Sequence, residues 1–482
     1  MSDRSSGTSG RLGANLTFLY TGEALSKLLG LVVFAYLNRV LTKGRYGDLE
    51  FAFGLVFVLN LLMDAGLAHY GAREAAREPH RLPALATQIA AIRTLIFFGS
   101  MAILGAMATL VDGDSTSKLL VLVTGSMLLP VPLLLNWAFQ SRDEMQVVAG
   151  CSLLRQILFA AGVLSFVHSG GDILLVPIFD GAGLLSAVAI QHVLLRRRIG
   201  PLWAGSYLRD TVRVARDALP LAASAVVWSL RLFFPLLALR FLAGAEATAV
   251  FGAAHRMIIA LHTFVWLYFV NLLPSLSRLA APEGRAEFDR VTSTSMRLIG
   301  WIVVSGSIVG GLIAPVIFRF YSPKYPEAAE LFAVMVWMIA AAFVSGQCRY
   351  ALIALRHQRD ELKANLAGCL VAIGGCLLAG RALTPLVAAS IFVAAEATTL
   401  VAAWLLCRRC GHPIAVLRPL AGPLLSGAIS VGIVFSWAGQ YPLLAGVAVV
   451  LIQAGGLVLF DRRLPRDAVE LLRPSSTRPL HS

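Results

Sequence analysis

Apolar runs recur along the whole chain, each about as long as a membrane crossing and each ended by a short polar segment. A spanning helix needs about 20 largely apolar residues. Runs near 15–41, 46–70, 84–110, 118–139, 146–167, 172–195, 216–242, 248–275, 293–318, 328–355, 362–379, 384–407, 417–437 and 440–460 meet that length. The pattern predicts an all-α polytopic membrane protein with about fourteen transmembrane helices. A β-barrel would alternate apolar and polar residues over segments of about ten residues, and such alternation does not occur. The first run, Leu16 to Leu41, is too long for a signal-peptide core and is not followed by a small-residue cleavage site, so it is expected to stay as a spanning helix.

Composition agrees with this pattern. Of 482 residues, 57% are hydrophobic and only 14% are charged, against about 25% charged in a soluble protein. The net charge of +14 would suit nucleic acid, but the Arg and Lys are spread over inter-helix loops rather than gathered on one polar face, so no nucleic-acid partner is expected. Their distribution orients the chain instead. An even number of spans puts both termini on one side, and with cytoplasmic termini the cytoplasmic segments hold 27 of the 41 basic residues, against 6 in the opposite loops. That bias predicts a multi-pass protein of the bacterial cytoplasmic (inner) membrane with both termini inside. The outer loops are short, so no external domain is expected.

The longest polar loop, Arg196 to Arg216, separates six helices from eight. Each side of it carries a similar feature. Tyr46-Gly47 opens helix 2 and Phe251-Gly252 opens helix 8. Arg73 and Arg278 each follow their glycine by 26 residues, and Glu78 and Glu283 follow at equal offsets. Internal repeats of this kind are common in transporters. The chain is expected to form an N-lobe at 1–200 (helices 1–6), a C-lobe at 201–410 (helices 7–12) and a tail at 411–482 with helices 13–14.

Charged residues interrupt the apolar spans. Lys27, Arg39, Arg93, Arg155, Arg231, Arg240, Arg256 and Arg349 are the bases, and Glu23, Asp64, Asp180 and Glu396 the acids. Each would cost about 2.5–3.5 kcal/mol at a helix centre facing lipid, on the order of 30 kcal/mol together. They are therefore expected to face a hydrated cavity or to pair. Glu23 and Lys27 lie at i, i+4 with the acid first, the favourable order on a helix, and Asp64 could pair with Arg93. Arg39, Arg240, Arg93 and Arg349 lie toward helix ends, where long side chains can snorkel. The excess of about four positive charges predicts an anion-binding lumen, and an Arg-rich one suits phosphate or pyrophosphate. Lys27, Arg93, Arg155, Arg231, Arg256 and Arg349 are the candidate substrate-binding residues, and Glu23, Asp64, Asp180 and Glu396 the candidate coupling or charge-balancing residues.

Other chemistry is sparse. There is no P-loop sequence and no Ser, Cys or His constellation in a polar loop, so an enzyme is not expected. His255 and His262 share a face of helix 8 and are assigned to packing or cavity lining. The six cysteines lie in apolar runs or at the basic end of one, which excludes a secreted disulfide framework. Cys407-Arg-Arg-Cys410-Gly-His412 has metal-like spacing, but no second ligand cluster completes four ligands, so no metal is expected.

The chain resembles the O-antigen and polysaccharide flippases, the polysaccharide-transporter branch of the multidrug/oligosaccharidyl-lipid/polysaccharide exporter superfamily. The residues that carry the resemblance are Asn15–Gly47, Asp64-Ala-Gly-Leu67 with Arg73-Glu74, Phe251-Gly-Ala-Ala254 and Leu273-Pro-Ser-Leu-Ser-Arg278. The resemblance implies a flippase that moves an undecaprenyl-pyrophosphate-linked oligosaccharide between leaflets by alternating access, for O-antigen, capsule or exopolysaccharide. It implies a central cationic cavity for the pyrophosphate, membrane lipids around the substrate tail, and a polysaccharide polymerase or glycosyltransferases as partners. No cofactor is implied beyond coupling to a H+ or Na+ gradient or the membrane potential. An acid often seen in helix 7 of the family is absent here, where Arg231 and Arg240 stand. A lipid II flippase, a drug/cation antiporter of the same superfamily, and a membrane-embedded polysaccharide polymerase or ligase are the alternatives. A polymerase or ligase would carry a large outer catalytic loop, which this chain lacks.

Overall fold

Helix occupies the described part of each foreseen apolar run, with the second and fourth interrupted, in the computed structural model, which describes residues 22, 24–64, 66–203, 208–281 and 284–467. Glu23 and Glu283 lie outside the described residues. Helix is the outcome lipid demands, because a spanning backbone must satisfy its own hydrogen bonds. The helices are α1 (24–40), α2 (Lys43–Asp64), α3 (Leu67–Arg77), α4 (Leu82–Leu110), α5 (Ser115–Thr124), α6 (Asn136–Gln140), α7 (Met145–Phe166) and α8 (Leu175–Ile199). They continue as α9 (Leu208–Leu242), α10 (Ala245–Leu279), α11 (Arg285–Tyr321), α12 (Glu327–Ala354), α13 (Gln358–Ala379), α14 (Pro385–Arg409), α15 (Leu417–Val434) and α16 (Pro442–Phe460). Thirteen segments of the described residues are long and apolar enough to cross a membrane, and α1 adds the described part of the first expected span. No strand occurs among the described residues.

The chain divides into two compact units, residues 1–252 and 253–482. In the first, α2 packs along α9 and α7 along α8. The glycines that open the repeated segments are close-approach positions. A Cβ at Gly47 of α2 would lie 1.8 Å from the Ala245 carbonyl oxygen, and one at Gly252 of α10 would lie 2.6 Å from Glu50 Cγ. Each glycine thus lets its own helix meet the start of the other, the backbone-on-backbone contact that small residues permit in membranes.

Two spans of this unit are interrupted. The second breaks at Gly66, whose φ of 73° is left-handed, so α3 starts as a separate helix. Gly71 of α3 then abuts Ile89 and Trp137, where a Cβ would meet atoms at 2.7 and 2.8 Å. The fourth span leaves α-helix after Thr124 and passes through 3-10 turns at Gly125–Met127 and, after Pro130, at Val131–Leu133 before α6. Proline supplies no N–H to a helix, so Pro130 and Pro132 keep this stretch from resuming α-helix before α6.

In the second unit α12, α13 and α14 pack together, α11 packs on α12, and α15 and α16 pack on each other and on α11. An apolar cavity of about 400 Å3 opens between α11 and α16, lined by Leu298, Trp301, Ile302, Val450, Leu457 and Leu464 among others. Arg297 secures the chain after α16 through Asp461 at 2.5 Å and Asp467 at 3.2 Å.

Candidate functional site

The interrupted spans supply the most specific polar geometry of the first unit. A broken helix frees backbone groups that need new partners in a membrane. Arg93 of α4 supplies one set. Its Nη2 donates to Asp64 Oδ1, at the last residue of α2, at 2.5 Å. Its Nη1 donates to the Leu134 carbonyl, freed by the break before α6, at 3.0 Å. Gln191 of α8 supplies the other. Its Oε1 accepts from the Leu135 N–H at 2.9 Å and its Nε2 donates to Asn136 Oδ1 at 2.6 Å. One guanidinium and one amide therefore hold both interruptions. Arg93 is 3% exposed and Gln191 fully buried, so neither exchanges these partners for water.

A second network closes one end of the same unit. Arg45 binds Asp114 through two bonds of 2.8 and 2.6 Å. Ser117 Oγ donates to Asp48 Oδ2 at 2.5 Å, and Asp48 Oδ1 accepts from Arg240 Nε at 2.8 Å. Arg240 Nη2 reaches the Asp112 carbonyl at 2.5 Å. Asp48 and Arg240 are buried, whereas Asp114 lies on the surface. The Arg45 guanidinium and the Ser117 N–H hold the Asp114 carboxyl far below the usual carboxylate range. A third pair joins α7 to α8, where Arg155 meets Asp180 at 2.7 and 3.3 Å. Gly183 allows that approach, since a Cβ there would lie 2.8 Å from the Arg155 carbonyl oxygen.

The second unit has its own buried polar line. Arg349 of α12 binds Glu361 of α13 at 2.7 and 3.0 Å, and Asn365 donates to the same oxygen at 2.5 Å. Ser345 donates to Glu396 of α14 at 2.5 Å. Tyr268 and Ser295 share a hydrogen bond of 2.6 Å, and Gln347 donates to Ser295. His255 is buried, edge-on to Phe392. His262 is buried as well.

The expected charged residues therefore separate into groups. Arg93, Arg155 and Arg349 each hold a carboxylate from another helix. Arg231 is 1% exposed, and Lys27 and Arg256 are half-buried. Arg240, Arg93 and Arg349 are each turned onto an acid of another helix. The acids Asp64, Asp180 and Glu396 all accept hydrogen bonds within their own unit. The supposed excess of four cations shrinks, because Asp48 and Glu50 are buried inside the second span and Glu361 lies inside the eleventh. These three acids sit in the opening turns of their helices. Asp48 and Glu50 fall inside the apolar run at 46–70, and Glu361 stands one residue before the run at 362–379.

A family model described as polysaccharide biosynthesis protein matches residues 12–280. No curated protein matches the chain. Among solved structures, the lipid II flippase MurJ in an inward closed conformation is similar, with TM-score 0.75, 12% identity, and 93% of this chain and 99% of that one covered. An inward-facing multidrug resistance MATE transporter of the MOP superfamily has TM-score 0.66 and 13% identity over 82% of this chain and 98% of that one. A MOP superfamily transporter from Pyrococcus furiosus, reported with a binding pocket of reversed polarity, has TM-score 0.55 and 11% identity over 83% of this chain and 94% of that one. At these identities the likeness is one of fold alone.

Proposed function

The chain belongs to the polysaccharide biosynthesis protein family, and from that membership we propose that it flips an undecaprenyl-pyrophosphate-linked oligosaccharide from the inner to the outer leaflet. The product would feed O-antigen, capsule or exopolysaccharide synthesis in the bacterial inner membrane, with both termini cytoplasmic. The observation that carries this reading is the pair of interrupted spans fastened by Arg93. Discontinuous helices with polar side chains at their breaks are how transporters build sites at membrane depth. Two pseudo-symmetric halves, 1–200 and 201–410, would alternate between inward- and outward-open states, with 411–482 as an appended pair of helices.

Lys27 and Arg231 of the first unit are the proposed pyrophosphate ligands, since guanidinium and ammonium groups at membrane depth suit a phosphate anion. Asp64, Asp180 and Glu396 balance charge in this scheme. Arg93, Arg155 and Arg349 position helices through their carboxylates. The apolar cavity beside α16 supplies a surface for the isoprenoid tail. A polymerase or glycosyltransferases would be the partners on either side of the transport step. The fold likeness to MurJ favours a second reading, a lipid II flippase.

Proteoliposomes separate the two readings. Purified protein should move a fluorescent undecaprenyl-pyrophosphate oligosaccharide between leaflets and should leave lipid II in place. Movement of lipid II alone favours the second reading. In cells, Arg231→Ala or Lys27→Ala should abolish surface polysaccharide while the protein remains in the membrane. Unchanged polysaccharide in both variants removes the ligand assignment.

A further inference from the structure

We propose that His357, Asp360 and Cys410 form a transition-metal site, suited to Zn2+, at one rim of the second unit. His357 flanks the N-terminus of α13 and Asp360 lies in its first turn. Cys410 closes the C-terminus of α14. Cys410 Sγ lies 3.4 Å from His357 Nδ1 and 3.6 Å from Asp360 Oδ2. His357 Nδ1 lies 3.4 Å from Asp360 Oδ2. A tetrahedral Zn2+ with bonds of about 2.3 Å to sulfur and about 2.0–2.1 Å to nitrogen and oxygen holds its ligand atoms about 3.3–3.6 Å apart. The three atoms already stand at the corners of one face of such a tetrahedron.

A Cys–His–carboxylate relay sets the thiol and the carboxylate on opposite ring nitrogens. Here both face Nδ1, and the thiol also faces Asp360 Oδ2, so the three atoms converge on one point. A single cation at the centre satisfies all three donors. Lys363 Nζ takes the other Asp360 oxygen, Oδ1, at 2.7 Å, which leaves Oδ2 as a one-oxygen ligand and orients it from outside. Thiolate, imidazole and carboxylate together favour Zn2+ or Co2+ over Ca2+ or Mg2+.

The site differs from the one that Cys407-Arg-Arg-Cys410-Gly-His412 suggests. Cys407 Sγ donates to the Cys348 carbonyl at 3.3 Å, and the His412 ring lies against Phe288. Only Cys410 of that motif takes part. The other two ligands come from the N-cap and first turn of α13, so a bound ion ties the start of α13 to the end of α14. On the topology proposed above, this rim is cytoplasmic, where the thiol stays reduced. Three protein ligands leave the fourth position to water or a further donor.

Titration of the purified full-length protein with Co2+ tests the site. One equivalent should bind, giving thiolate-to-cobalt charge transfer in the near ultraviolet and the visible bands of tetrahedral cobalt. Added Zn2+ should bleach both. Cys410→Ser should abolish the charge-transfer band while Cys407→Ser keeps it, and His357→Ala should weaken binding at least about tenfold. Variants are compared only as monodisperse protein, and the unsubstituted protein decides the matter if a variant fails to fold. No charge-transfer band in the unsubstituted protein, or its survival in Cys410→Ser, overturns the proposal.

Discussion

Asp48 and Arg240 form a buried ion pair in the first unit, Oδ1 to Nε at 2.8 Å with side chains 8% and 6% exposed. The pair joins the second span to the seventh across 192 residues of chain. Removing one member leaves an uncompensated buried charge, which costs about 3–5 kcal/mol, whereas replacing both is far milder. Asp48→Ala and Arg240→Ala should each lower the melting temperature of detergent-solubilised protein markedly. The double variant Asp48→Leu with Arg240→Met should recover most of the loss. A double variant as unstable as the singles would show that the pair is not what the two residues contribute.

Arg93 presents a different test, because it serves two acceptors. Arg93→Lys keeps the charge but not the fork that spans the Asp64 carboxylate and the Leu134 carbonyl. Its expected cost is about 2–3 kcal/mol, reduced by the partial exposure of Asp64. Gly66→Ala forces a side chain into a left-handed conformation and costs about 1–2 kcal/mol. Both variants should lower the melting temperature and the rate of substrate flipping, measured in the same proteoliposomes. A full flipping rate in Arg93→Lys would separate the break from transport.

The surface pair Arg45–Asp114 sets a pH expectation. The folded carboxyl of Asp114 titrates below its ordinary value of 3.8. A lowered folded value means stability that is fully present above the unfolded value and lost as pH falls through the folded one. This pair should therefore contribute a constant, salt-sensitive increment from neutral pH down to about pH 5. Asp114→Asn should lower the melting temperature equally at pH 7 and pH 5, and less in high salt. An effect that grows between pH 7 and pH 5 would contradict the assignment.

The sequence made some of this visible and not the rest. The spans were legible because apolar transfer free energy sums over about twenty residues and tolerates boundary errors. The Asp64–Arg93 contact was legible because both residues sit near the same ends of consecutive spans. Asp48 and Glu50 stand in plain view inside the run at 46–70; what the sequence could not show is that Arg240, 192 residues away, meets Asp48. The interruption before α6 escaped because hydropathy does not separate a straight span from a broken one. Pro130-Val-Pro132 was the available signal. The cluster at Cys410 could not be read at all, since His357 and Asp360 lie 53 and 50 residues away and are brought to it only by the packing of α13 on α14.

The pairing of acids with bases inside the spans has an electrical consequence. A unit charge moved across the full membrane field is worth about 2.3 kcal/mol per 100 mV. Arg93, Arg155, Arg240 and Arg349 each travel with a carboxylate. Any motion of these helices then displaces dipoles rather than net charge. The protein itself carries little gating charge at these four positions.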